Sequence, residues 1–454
     1  MKSFLEISIK ELSENIAKGE MSTEDVADIC INRVEQMEPS CQAWECFDEK
    51  NFKKACRTGL FHGMPIGVKD IFNTADFPTQ MGSPLWKNFT PGNDARAVHN
   101  LKNAGAVIPG KTVTAEFAVH ALGKTLNPHD ANRNPGTSSS GSAVAVATGM
   151  VPAAIGTQTA GSIVRPASYC GVYGCKPSFG LIPRTGVLKT CDTLDTIGFF
   201  VSHACDLKIM FEALRVHGRN YPMSHEALNR RQKIEEEIAK IYNIPCGILK
   251  NVKVPFGPKN RPWKIAFIKT NTWNYAETYA KNALLGFAQL LYDHTAQLPD
   301  LVFNAHEIHA TIYDKSLSHY FREEYKNSQL VSPIMNGIIE QGQKITIDQY
   351  LAALQEQVKI QRAMDGFFND YDIIISLSTT GVAPLREEPE KPDPALIWTL
   401  AHLPVVSVPA FKHEGLPFGI QIVARKYNDY LLFDFIDYLR EMELIPEGVN
   451  PRII

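Results

Sequence analysis

RNPGTSSSGS at residues 133–142 and TQTAGSIVRP at residues 157–166 are the two stretches on which the fold turns. Serine and glycine tracts ordinarily mark turns or flexible linkers. These two instead lie between segments of structured character. Upstream, PIGVKDIF (65–72) and GAVIPGKT (105–112) read as short β runs. Between the tracts, the Ala-rich SAVAVATGM (142–150) reads as a helix, and VPAAIGTQT (151–159) is a further β run. Short apolar strands alternating with helices from about 60 to 210 predict an α/β fold, a large central sheet covered by helices on both faces. The serine-bearing loops then fall at the ends of its elements, where two of them can build one site.

Working outward, the N-terminus opens with helices. Ser8 and Glu11 have capping-box spacing, Ile9, Leu12 and Ile16 recur at helical period, and Gly19 supplies a stop. Ser22 or Thr23 starts a second helix with Val26, Cys30, Val34 and Met37 on one face. The composition shifts between about 212 and 262, where EALNRRQKIEEEIAKIYN predicts a charged amphipathic helix with a solvated face. That segment and the helical stretch to about 370 read as an insertion. Strand character returns in DIIIS (372–376), VVSVPAF (405–411) and GLPFGIQIV (415–423), before a last helix near 428–442.

The bulk composition excludes several function classes. The 454 residues carry 46 Lys and Arg against 49 Asp and Glu, a net charge of −3 that gives nucleic acid or an anionic membrane nothing to be drawn to. Nine cysteines without a CxxC pair suggest neither a disulfide framework nor a zinc knuckle, and the thirteen histidines form no HExxH. No metal is expected. The opening MKSFLEISIKELSE has no apolar signal-peptide core, and no stretch reaches the roughly 20 apolar residues of a membrane span. The expectation is a cytoplasmic protein whose partner is a small molecule.

Three pieces carry chemistry: Lys69 after the apolar Ile66 and Val68, the serines of PGTSSSGSA, and Ser162 in TAGS. Singly, each has an ordinary explanation: a strand end reaching solvent, or a turn. TAGS is less easily dismissed, because backbone N–H groups converging ahead of a helix make the geometry an oxyanion needs. Amide cleavage requires an activated oxygen nucleophile, oxyanion donors and a proton for the departing nitrogen. No GxSxG elbow surrounds either loop. A lysine can replace histidine as the base if it is neutral near pH 7, which asks about 4–5 kcal/mol of its surroundings. Asp70 would oppose this, but strand neighbours project to opposite faces.

The run Gly63 to Asp70, the Gly-Ser tract and GTQTAGSIVRPASYCGVYGCKPSFGLIPRTGV together resemble the amidase signature family, with the two matched serines 24 residues apart, at 138 and 162. The likeness covers most of the chain and is thin between about 212 and 370. It implies a single domain over 1–454, with a signature core at about 60–210 and a divergent, mostly helical region at about 212–370 that shapes the substrate site. It further implies a Ser–cis-Ser–Lys triad: Ser162 as the acylated nucleophile, Ser138 as the bridge following a cis peptide bond, and Lys69 as the base. The N–H groups of Thr159, Ala160, Gly161 and Ser162 would line the oxyanion hole, and Ser139 would support the lysine. No cofactor is implied.

Four positions depart from the family pattern. Thr137 stands where glycine is usual, Gln158 replaces a common aspartate, and Ala160 a common glycine. Val164 occupies the place of an arginine two residues after the nucleophile, so that Arg165 comes third, rotated roughly 100° on a helix. The leading expectation is hydrolysis of a small carboxamide, with a homodimer as the assembly considered. The alternatives are a transamidase subunit resembling those that serve aminoacyl-tRNA, a non-catalytic scaffold, and a Ser-His-Asp esterase. Phe72, Phe117 and Trp398 are candidates for an acyl pocket, with core packing the simpler role.

Overall fold

The computed structural model describes residues 3–54, 59–217, 258, 261–291 and 294–449. The charged stretch 226–243 therefore lies outside the described residues. Eleven strands form one sheet: β1 (Trp44–Phe47), β2 (Ile66–Lys69), β3 (Gly110–Thr112), β4 (Ala153–Gln158), β5 (Tyr173–Lys176), β6 (Thr196–Val201), β7 (Ile265–Ile268), β8 (His294–Ala296), β9 (Ile373–Leu377), β10 (Val405–His413) and β11 (Leu416–Ala424). Their spatial order is β1-β3-β2-β4-β6-β5-β10-β11-β9-β7-β8. β2 pairs in parallel with β3 and β4, and β7 with β8 and β9, while the remaining neighbours are antiparallel. The sheet is thus mixed, and it is large and covered by helices as the alternation of runs predicts.

Every residue of β2, β4, β6 and β9 is buried, as strands covered on both faces must be. The covering helices follow from composition. Ser140–Ala147 (SGSAVAVA) is small and apolar all round, and all eight of its residues are buried against β2, β3, β4 and β6. Val164–Cys170 is equally buried, packed against β5, β10 and β11. At the N-terminus, Ser8 Oγ accepts from Glu11 N at 3.1 Å and the Glu11 carboxylate accepts from Ser8 N at 2.9 Å, so the capping box forms as read. Val26, Cys30, Val34 and Met37 line the buried face of the helix Thr23–Cys41.

The insertion, expected to be mostly helical, also carries strands in its described part. Helices Thr278–Leu290, Ala305–Tyr320, Pro333–Lys344 and Ile347–Phe367 dominate its described part, yet β7 and β8 also belong to it and extend the main sheet beyond β9. Ile265–Ile268 is a short apolar run, and its continuity with the sheet is fixed by pairing with Ile373–Ile375 over a hundred residues away.

Candidate active site

Lys69 is the last residue of β2 and is fully buried. Its Nζ lies 3.0 Å from Ser139 Oγ, 3.1 Å from Thr157 Oγ1 and 3.2 Å from Ser138 Oγ. Three neutral hydroxyls therefore surround the amine, with no carboxylate in hydrogen-bond reach. Burial drives its pKa well below the ordinary 10.5, and the more distant charge of Asp195 opposes this more weakly. Asp70, its chain neighbour, points to the other face as strand geometry requires. There it meets Lys111, itself buried, at 3.1 Å, and Lys111 also donates to Phe72 O, Pro78 O and Thr79 Oγ1. Burial raises Asp70 to about 6, with Lys111 pulling it down.

The hydroxyls are not equivalent. Ser139 Oγ donates to Thr157 O at 3.2 Å, so toward Lys69 it can only accept. Ser138 has no such outlet for its proton among the described residues, which leaves it able to donate to a neutral amine. Its backbone is fixed by Thr114 Oγ1, which donates to Ser138 O at 3.0 Å. The cis bond expected before Ser138 is absent: every described peptide bond is trans. The sharp turn is made at Gly136 instead, with φ +84, a conformation and a proximity to Pro166 that leave no room for a Cβ.

Ser162 stands on the turn between β4 and the helix Val164–Cys170 and is 7% exposed. Among the described residues it forms no hydrogen bond with Ser138. Gln158 Oε1 accepts from the N–H groups of Ile163 (2.8 Å) and Val164 (3.0 Å), doing as a neutral amide what an aspartate there would do as an anion. The N–H groups of Thr159, Ala160, Gly161 and Ser162 donate to no protein acceptor among the described residues, which leaves them available to an incoming anion.

Beside this turn lies a mostly buried charge cluster. Arg165 forms an ion pair with Glu390 and reaches Asp393 Oδ2 at 3.4 Å. Glu390 also accepts from Thr137 Oγ1, and from Asn134 Nδ2 at 2.9 Å. The β-branched residue at 137 is thereby accounted for: its hydroxyl ties the serine tract to the C-terminal loop. Asp393 presses against Gly161, where a Cβ would overlap its carboxylate. Gly161→Ala is accordingly expected to lower thermal stability, measured by differential scanning fluorimetry.

A cavity of ≈ 290 Å³ adjoins Lys69 through Thr157 and the turn through Thr159, with Ala118, Leu188, Ile197 and Asp195 also on its wall. Asp195 accepts from Thr159 Oγ1 at 2.8 Å and from Thr190 and Cys191 N–H at 2.9 and 3.0 Å, bracing the start of the turn. Phe72, Phe117 and Trp398 are fully buried members of the core. Burial pushes the thiols of Cys170 and Cys175 up, which leaves them unreactive. Among the described residues no group of three metal-ligating side chains comes together, and no helix is long and apolar enough to cross a membrane.

A sequence-family model described as Amidase matches residues 26–433, and the chain belongs to that family. Among curated relatives, a glutamyl-tRNA(Gln) amidotransferase subunit of Shouchella clausii (strain KSM-K16) is 27% identical, over 96% of this chain and 97% of the relative. The protein of the same name from Natranaerobius thermophilus is likewise 27% identical, covering 93% of each chain. Among solved structures, 6-aminohexanoate cyclic dimer hydrolase complexed with substrate superposes with a TM-score of 0.83 at 19% identity, over 99% of both chains. The corresponding glutamyl-tRNA(Gln) amidotransferase subunit from Thermotoga maritima gives 0.79 at 24%, over 100% of this chain and 99% of that one.

Gln158, Asp195, His309, Glu390, Asp393 and Thr399 are neighbours whose contacts the sequence does not announce. Gln158 stands out there only as a departure from the family pattern. Most of the others come from segments far along the chain, with no spacing to mark them.

Proposed function

We propose that the protein cleaves the C–N bond of a carboxamide through an acyl-enzyme on Ser162. Ser162 Oγ attacks the carbonyl carbon. Its proton passes to Ser138 Oγ while the Ser138 proton passes to neutral Lys69 Nζ, and the oxyanion takes up the free N–H groups of the turn. On collapse the C–N bond breaks, and the proton returns from Lys69 through Ser138 to the nitrogen, which leaves as ammonia or amine. Water then releases the acyl group. The observation that carries this reading is the Lys69 environment, three hydroxyls and no carboxylate, which favours a base over a structural ammonium.

Within that chemistry, the names of the curated relatives favour a subunit of an amidotransferase that obtains ammonia from an amide over the free-standing hydrolase of small amides expected from the sequence. The departures at Gln158 and Ala160 do not weigh against it, since both keep their backbone donors. Ammonia release from glutamine, asparagine and a panel of aliphatic, aromatic and peptide amides, with Ser162→Ala as the blank, tests both. A glutamine or asparagine preference that rises on adding a co-purifying second subunit is the result expected. Efficient turnover of unrelated amides by the isolated chain would favour the free-standing hydrolase. Equal rates for the protein and Ser162→Ala would refute the chemistry itself.

A further inference from the structure

The free N–H groups of the turn are aimed by the carbonyls of the same peptides. In a trans peptide the C=O and the following N–H point in opposite directions. Whatever holds Thr159 C=O therefore orients Ala160 N–H, and whatever holds Ala160 C=O orients Gly161 N–H. Both carbonyls are held by side chains outside the signature core. His309 Nε2 lies 2.8 Å from Thr159 O, and Thr399 Oγ1 donates to Ala160 O at 2.6 Å.

We propose that His309, on the helix Ala305–Tyr320, and Thr399, relayed from Gln158, are the positioning residues that set the oxyanion-binding N–H groups. A carbonyl only accepts, so His309 Nε2 carries the proton. The ring is buried, stacked on Tyr313 at 5.4 Å, and desolvation pushes its pKa down to about 4, so it serves as a neutral donor across the working range. Its hydrogen bond also polarises the Thr159 peptide and strengthens Ala160 N–H as a donor.

Gln158 completes the arrangement. Its Oε1 faces two N–H donors, so its Nε2 faces Thr399 Oγ1, at 2.9 Å. The threonine must then accept from Gln158 and spend its own proton on Ala160 O. A glutamate at 158 would instead compete for that proton and release the carbonyl. The amide of Gln158 is thus coupled to Thr399, and the helical region after 262 gains a part in the chemistry through His309.

The inference rests on the proposed acyl transfer at Ser162. Its test is steady-state cleavage of the best amide found, alongside an activated p-nitrophenyl ester of the same acyl group, with inhibition by the matching aldehyde as a mimic of the tetrahedral state. His309→Ala is expected to lower kcat about tenfold to a hundredfold with KM within about twofold, and to weaken the aldehyde in proportion. His309→Gln, whose Nε2 reaches the same place, should restore most of the rate. Thr399→Val keeps the volume and should lower kcat similarly, which carries the test if His309→Ala does not fold. Unchanged kcat in both variants, or a loss expressed wholly in KM that His309→Gln fails to restore, would overturn the proposal alone. Cleavage of neither substrate beyond the Ser162→Ala level would overturn it together with the acyl-transfer reading.

Discussion

Lys69→Met is expected to abolish amide cleavage, by about a hundredfold to ten-thousandfold, while leaving the protein folded and no less stable. General-base catalysis contributes on that scale, and methionine fills the lysine's volume without the cost of burying an amine among hydroxyls and apolar strand residues. The pH dependence follows the same cause. Because burial lowers the Lys69 pKa in the folded state, the folded protein binds this proton less readily than the unfolded chain. The associated stability is full above the ordinary lysine value near 10.5 and is lost as pH falls through the folded pKa. Lys69→Met should therefore flatten the rise of stability between those limits, read as urea midpoints across pH. The rate should rise with pH through that same lowered pKa, as neutral Lys69 is formed.

Arg165→Met is expected to be the most destabilising change near the site, about 2–4 kcal/mol, because it leaves the mostly buried Glu390 and Asp393 without their cation. With the guanidinium present, Glu390 is held below its ordinary value despite burial, whereas burial outweighs Arg165 at Asp393 and raises it. Removing the arginine frees both carboxylates to move up. The deficit against wild type should be larger at pH 8 than at pH 5, since protonation relieves the unpaired charges as pH falls. The double variant Arg165→Met/Glu390→Gln should recover part of the loss, since the remaining polar contacts to Asn134 and Thr137 suit an amide oxygen. Urea denaturation of the single and double variants at the two pH values measures this. A deficit independent of pH would mean the arginine acts through packing.

What the sequence could disclose was local. The capping box at Ser8 and Glu11, the buried face at Val26, Cys30, Val34 and Met37, and the opposite facing of Lys69 and Asp70 each depend on residues a few positions apart, where helix and strand periods are dependable. The serine loops were legible for a related reason: each is contiguous, and both sit beside readable elements. Glu390 and Asp393 were not, because they meet Arg165 across more than two hundred residues, and His309 meets Thr159 across 150. A lone histidine on an amphipathic helix does not reveal which carbonyl it will face. Thr137 reads only as a departure from the usual glycine while the partner of its hydroxyl is unseen. The trans bond before Ser138 departs from what the resemblance implied, since Gly136 makes the turn.

The ionisation of Lys69 tests the account most directly. Carbon-detected NMR of protein labelled at lysine Cε and Nζ, with the Lys69 signal assigned by its loss in Lys69→Met, follows that one group through a pH titration. The account predicts a neutral amine at the pH where amides are cleaved, titrating well below 10.5 and coinciding with the rise in rate. A Lys69 that stays an ammonium throughout the active range would contradict it.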